Sequence, residues 1–242
     1  MMAKNFVMRE NYSLSIILPV YNEEDNIKKV IEQATSFLQE NNIFANFEII
    51  IVDDASNDNT AKILRKFTHQ LPNLKIITHN KNLGYGKTLI SGVENSQYSL
   101  VFFMDADGQF EFSQLNRLIP YIEDYGIVTG YRKQRKDNFY RLALGKLLAG
   151  LVFLLLGLKL KDVNCGFKLF EKKVFNGKQV HSSAGIFYAE ILLRAKKDGY
   201  KIKEVPIEHF PRLRGRQSGA SPKIIFGAIK DLMRLVFFRK NL

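Results

Sequence analysis

One cysteine, Cys165, stands among 242 residues, so no internal disulfide can form and nothing calls for an oxidising compartment. The four histidines (His69, His79, His181 and His209) are scattered, and no His/Cys spacing suggests zinc. A secretory leader is not expected either. The early apolar stretch Leu14–Val20 has no basic segment of the usual kind before it, and no small-residue cleavage site before the acidic YNEED. Internal repeats, low-complexity segments and obvious linkers are missing too. With 46% hydrophobic and 25% charged residues, the composition is that of an ordinary folded protein and excludes a disordered one.

An uncharged run long enough to cross a bilayer is likewise lacking. Residues 142–160 read LALGKLLAGLVFLLLGLKL, whose longest uncharged piece, Leu147–Leu158, is 12 residues, whereas a span takes about 20. Two readings stay open for it: a buried core helix, or a helix lying in a membrane interface. The flanking Arg132, Lys133, Arg135, Lys136, Arg141, Lys159 and Lys161 favour the second. The C-terminus repeats the theme, with Ile225, Ile229, Leu232, Met233, Val236 and Phe237 on one expected helical face and Lys223, Lys230 and Arg234 off it.

Acidic residues are outnumbered, 24 against 36 Lys and Arg, for a net charge of +12. The excess is local. Residues 131–168 hold nine Lys/Arg and two Asp/Glu, and residues 212–242 hold eight and one. Such a surface suits nucleic acid, anionic lipid or a phosphorylated substrate, and charge alone does not choose among them.

The first half alternates strand and helix patterns. SLSIILPV, FEIIIVDD, LKIIT and YSLVFFMD are short apolar runs of the doubly covered parallel kind. Between the first two, Ile27, Val30, Ile31, Ala34, Phe37 and Leu38 recur at helical spacing up to Asn41 and Asn42. A second helix is expected from about Ser56–Asp58, and a third from about Gly86 to Asn95. Repeated units of this kind predict an α/β fold around a mostly parallel central sheet. Ligands of such sheets gather at the carboxyl ends of the strands. There the chain places PVYNEE, DDASNDNT and DADGQ. Gly86-Lys87-Thr88 looks like the end of a phosphate-binding loop, but that motif needs glycine at position 81, which is Lys. In FFMDADGQF, Asp105 and Asp107 end an apolar run one residue apart and repel each other unless a cation lies between them.

Taken in order, ILPVYNEEDNI, IIIVDDASNDNT, NLGYGKT, MDADGQF, GYR at 130–132, DVNCGFKLF at 162–170 and PRLRGRQSG at 211–219 resemble glycosyltransferase family 2. Within it they resemble the dolichol-phosphate mannosyltransferase-like enzymes that load a sugar onto a polyprenyl phosphate. The resemblance covers roughly residues 13–220. It implies a Rossmann-like, nucleotide-sugar-binding glycosyltransferase A fold and inversion at the anomeric carbon. It also implies a catalytic region 1–220, with a nucleotide-sugar half 13–110 and an acceptor half 111–220, followed by a basic amphipathic membrane-interface tail, 221–242.

The resemblance assigns residues as well. Asp105, Asp107 and Gln109 would hold Mg²⁺ or Mn²⁺ against the diphosphate of the donor. Pro19, Tyr21, Glu23, Asp53, Asp54 and Lys81 would line the nucleotide pocket. Arg132, Arg141, Lys168, Arg212, Arg214 and Ser218 would serve the acceptor phosphate, although Gly145 stands where relatives often have serine. An ionised phosphate oxygen attacks without a general base, so it needs cations to align it. Asp105, Asp107 and Arg132 would then carry the reaction. Glu190 has two open readings, substrate positioning or helix solubility. Cys165 and Phe167 are expected to pack.

The implied partners are a nucleotide-sugar donor of GDP-mannose or UDP-glucose type, a dolichyl or undecaprenyl phosphate acceptor, and an anionic membrane surface on the cytoplasmic face, bound peripherally. A separate membrane-anchor protein stays open. Transfer to a glycolipid or polysaccharide hydroxyl is the nearer rival, but QxxRW is not found. A nucleotidyltransferase would show a glycine-rich basic stretch after the first strand, and PVYNEED is neither. A nucleic-acid-binding module predicts exposed aromatics among the cations, whereas most aromatics here fall on expected strands or apolar faces, so no nucleic-acid partner is expected.

Overall fold

The computed structural model describes residues 12–41, 43–68, 70–134, 139–177, 180–182, 185–212, 214–215 and 222–238. Seven strands form one sheet: β1 (Tyr12–Val20), β2 (Phe44–Asp53), β3 (Leu74–Thr78), β4 (Leu100–Phe103), β5 (Gly126–Arg132), β6 (Lys168–Glu171) and β7 (Lys201–Ile207). Their order is β3-β2-β1-β4-β6-β5-β7. The helices are α1 (Ile27–Glu40), α2 (Thr60–Thr68), α3 (Tyr85–Glu94), a short α4 (Ile122–Tyr125), α5 (Phe139–Leu156), α6 (Phe187–Lys197) and α7 (Pro222–Phe238).

Only β6 departs from the parallel expectation, pairing antiparallel with both β4 and β5. That reversal has a functional consequence. Parallel strands present their carboxyl ends at one edge of the sheet, and a reversed strand presents its start there. β6 therefore delivers the segment DVNCGF at the edge where β1, β2, β4 and β5 end.

Period-two side-chain alternation splits the interior in two. On β1, Leu14, Ile16, Leu18 and Val20 enter one core while Ile17 enters the other. All six periodic residues of α1 are buried in the first core. Apart from Ala34, each such side chain contributes roughly 1.5–3 kcal/mol on burial. The second core lies under α3, α5, α6 and α7. Close helix–sheet approach is fixed at Gly92, where an added Cβ would overlap Ile17 Cγ2. Gly92→Val should therefore lower unfolding stability by about 2–3 kcal/mol. Urea denaturation checks this, and unchanged stability would mean that α3 has room to lift from β1.

Both of the apolar helices considered above divide their residues between core and surface. In α5, Val152 and Leu156 are buried while Leu147, Phe153 and Leu154 are exposed, Leu154 by 77%. That helix therefore has a core face and an exposed apolar face. In α7 the expected single face also splits. Ala228, Leu232 and Leu235 are buried, whereas Phe226, Ile229, Met233 and Phe237 form an exposed stripe. A helix apolar on two sides carries no signal for which side the core takes. Among the described residues, no helix is long and apolar enough to cross a membrane.

Candidate active site

The loops after β1 and β2 are tied together before any ligand arrives. Asn22 N donates to Ser56 Oγ and Asn57 N to Asn22 Oδ1, while Glu23 N donates to Thr60 Oγ1 and Glu24 N to Asp58 Oδ2. Asn22 and Ala55 both sit at positive φ, 56° and 60°. Asparagine tolerates this conformation, but alanine pays a steric cost there that the interlocked loops must offset. Pro19 is buried in β1 and Tyr21 is exposed beside the crevice.

The two aspartates of DDAS are spent on the backbone. Asp53 Oδ1 accepts from Ser56 N. Asp54 accepts from Leu83 N and Gly84 N, and its Oδ1 lies 2.7 Å from His79 Nδ1. Both residues expected in the nucleotide pocket thus also frame the loops there, with Asp54 as the hub of the 79–84 loop. Lys81 is exposed on that same loop.

Asp105 and Asp107 follow β4. The DADG turn is set by Asp107 Oδ1, which accepts from Gln109 N, and by Gly108 at φ 75°. Asp105 is enclosed on two sides. Tyr85 OH donates to its Oδ1 at 2.6 Å, and Gly166 is so close to its carboxylate that a Cβ there would overlap all three carboxylate atoms. Burial first, then the charge of Asp107, push the Asp105 carboxyl up to about 6, against the pull of Tyr85, Arg132 and Lys168. Such a pair is short of positive charge. A divalent cation fits the oxygen donors present: Mg²⁺ or Mn²⁺ commonly takes one or two protein carboxylates and completes its shell with phosphate and water. Among the described residues, no group of three or more His, Cys, Asp or Glu is gathered as a cage. Gln109 is buried, and its amide Nε2 donates to Phe210 O while Phe210 N donates to Gln109 O. Its amide nitrogen thus fastens the segment after β7.

The expected acceptor cations part company. Arg132, at the end of β5, makes a two-pronged pair with Asp162 (Nε–Oδ2 2.6 Å, Nη2–Oδ1 2.8 Å), both side chains about 10% exposed. Lys168 is fully buried on β6, bonded to Thr129 Oγ1 with its ammonium 4.7 Å above the Tyr188 ring. Burial pushes its pKa down. A lysine so enclosed acts through its neighbours, not as a surface phosphate contact. Arg212 donates to both oxygens of Glu23 (2.8 and 2.9 Å) and lies 3.7 Å from Asp107 Oδ2, so it sits beside residues expected at the nucleotide and metal. Burial raises the Glu23 pKa, while Asn26 and Arg212 draw it back. Arg214 is exposed, and its carbonyl accepts from Arg212 Nε. Arg141 is a helical residue of α5 whose side chain, like all of Ser218, lies outside the described residues.

One further expectation changes and another stands. Glu190 is buried, accepts from Arg194 and from the backbone of His181 and Ser182, and so clamps α6 to the preceding loop. It neither solubilises the helix nor faces solvent. Cys165 packs as expected, and burial pushes its thiol up to about 12. Sequence reading missed Tyr85, Tyr188, Asp162 and Gly166. Tyr85, Asp162 and Gly166 did lie inside quoted motifs, though without a role.

Beside these groups a cavity of about 460 Å³ runs between α5 and α7. Leu144, Leu148, Val152, Ile225 and Ile229 line it, and its polar wall includes Asp105, Arg132, Asp162 and Tyr188.

The description "Glycosyl transferase family 2" matches residues 15–177. The chain belongs to that family. This glycosyltransferase is 32% identical over 217 residues to a dolichyl-phosphate beta-glucosyltransferase of Dictyostelium discoideum, covering 82% of this chain and 66% of that one. It is 30% identical over 231 residues to a dolichol-phosphate mannosyltransferase of Pyrococcus furiosus, covering 92% and 63%. Glucosyl-3-phosphoglycerate synthase of Mycobacterium tuberculosis, crystallised with Mn²⁺, UDP and phosphoglyceric acid, shares the fold. Its TM-score is 0.73 at 17% identity, covering 93% of this chain and 78% of that one.

Proposed function

We propose that this family 2 glycosyltransferase moves a hexose from a nucleotide diphosphate sugar of GDP-mannose or UDP-glucose type to a polyprenyl phosphate, with inversion, at a membrane surface. The observation that carries this reading is the cavity between α5 and α7, which joins apolar walls to Asp105 and Arg132. A lipid phosphate needs that combination: a greasy passage ending at a cation. The relatives named above act, by their names, on dolichyl phosphates. When bound, Mg²⁺ or Mn²⁺ would be held by Asp105 and Asp107 and would offset the charge of the departing diphosphate.

Arg132 holds the acceptor phosphate, and Asp162 fixes the plane of its guanidinium. The ionised phosphate oxygen forms the bond to the anomeric carbon as the bond to the diphosphate breaks. The exposed stripe of α7 (Phe226 73% and Phe237 76% exposed) and the exposed residues of α5 lie in the interface. Lys and Arg on these segments add on the order of 1 kcal/mol each near an anionic leaflet.

The test is transfer from labelled UDP-glucose or GDP-mannose to a short polyprenyl phosphate, with the matching polyprenol as control. Transfer to the phosphate alone is expected, and equal transfer to the alcohol would sink the reading. Arg132→Ala should raise the acceptor KM by one to two decades, from a charged hydrogen bond of about 1.5–3 kcal/mol. Because it strands Asp162, the Arg132→Ala/Asp162→Asn pair should be measured alongside it. An equal loss of donor affinity would reassign Arg132 to the donor. Met233→Asp with Phe237→Asp should move the protein off anionic liposomes without touching the core residues Ala228, Leu232 and Leu235, which deletion of α7 would remove. Unchanged co-sedimentation would exclude this stripe as the membrane contact.

A further inference from the structure

A line of side chains connects the middle of the sheet to Asp105. Lys168 on β6 is bonded to Thr129 of β5 and lies over the Tyr188 ring. Tyr188 OH is 2.8 Å from Tyr85 OH, and Tyr85 OH is 2.6 Å from Asp105 Oδ1. The rings of Tyr85 and Tyr188 meet edge to face, 5.9 Å apart at 70°. A phenol carries one proton and an ionised carboxylate only accepts. Tyr85 therefore donates to Asp105, and Tyr188 donates to Tyr85. The order of donation runs from the buried end toward the site.

We propose that Tyr85 is a positioning residue for Asp105 in cation and diphosphate binding, with Tyr188 acting on it from behind. The inference rests on the metal reading above. One carboxylate oxygen is engaged by a phenol and the whole group is backed by Gly166, which restrains the carboxylate on two sides. A ligand fixed in this way needs no reordering when the cation arrives. Outer partners of metal ligands typically account for about 10–100-fold in metal affinity or activity. The sequence does not announce their pairing, since one opens α3 and the other lies 103 residues away on α6.

The experiment is a Mn²⁺ titration followed by electron paramagnetic resonance on the full chain, with UDP and, separately, GDP present. Wild type, Tyr85→Phe, Tyr188→Phe and the double variant are compared, with melting temperature alongside. Tyr85→Phe should weaken Mn²⁺ uptake by about 10–100-fold at nearly unchanged melting temperature. Tyr188→Phe should give a smaller loss in the same direction, and the double variant should be no worse than Tyr85→Phe, as expected of groups acting through one contact. Wild-type uptake matched by Tyr85→Phe overturns the positioning role and leaves the metal reading standing. No uptake by wild type with either nucleotide overturns both. A loss that tracks a fall in melting temperature also overturns the role, since it makes Tyr85 a packing residue.

Discussion

Gly166→Ala should cost at least about a hundredfold in kcat while leaving the secondary structure intact. The methyl group would occupy the space of the Asp105 carboxylate, which it overlaps at Cγ, Oδ1 and Oδ2. A flexible side chain would yield at little cost, but this one is held in place. Its Oδ1 is held by Tyr85, and the charge of Asp107 repels it. Either the carboxylate breaks that hydrogen bond and rotates away, or the start of β6 retreats from β4. Both displace the group by an ångström or more, and misplacement on that scale is worth about a hundredfold in rate. The stability cost of overpacking is about 1–3 kcal/mol, which a folded domain survives. Steady-state kinetics with circular dichroism separates the two effects. A variant with kcat within threefold of wild type would show that the observed Asp105 geometry is not the working one.

That glycine marks the boundary of what the sequence discloses. Local pattern was legible: the apolar run of β1, the six buried positions of α1, and the polar clusters at the strand ends all stand where periodicity and turn chemistry put them. Direction was not. A four-residue strand such as KLFE reads the same whichever way it enters a sheet, so nothing announced that DVNCGF would arrive beside DADG. Partnership was hidden for the same reason. Arg132 and Asp162 are 30 residues apart, and each alone is an unremarkable charge. Lys168 looks like any surface cation until Tyr188 covers it. In α7 the apolar residues were legible, but the choice between Leu235 and Phe237 as the buried one belongs to the neighbouring helices. The resemblance named the residues, and tertiary contacts paired two of its cations, Arg132 and Arg212, with carboxylates within the protein.

Asp107→Asn should nearly abolish turnover, by at least about a hundredfold, and should do so through the metal-dependent part of donor binding. The substitution is matched to the local geometry. Asp107 shapes its turn by accepting from Gln109 N at 3.0 Å, and an asparagine carbonyl accepts in the same place. Gly108 keeps its positive φ, and the Gln109–Phe210 link is untouched. Arg212 loses a partner at 3.7 Å but retains both oxygens of Glu23. The fold therefore stands, and the change is confined to charge. The neighbouring Asp105, held high in part by the Asp107 charge, moves down toward the usual carboxylate range and stays ionised near neutrality. One anionic oxygen ligand remains where two were paired. A cation that neutralises a leaving diphosphate is worth several kcal/mol in the transition state, and each 1.36 kcal/mol is tenfold in rate. UDP and GDP affinities measured with Mn²⁺ and with EDTA check the cause. Wild type should bind its nucleotide more tightly with the metal, and the variant should bind equally weakly in both. A variant that keeps the metal-dependent gain in affinity, or a wild type fully active in EDTA, would remove Asp107 from the donor site and leave its carboxylate with the turn and Arg212 alone.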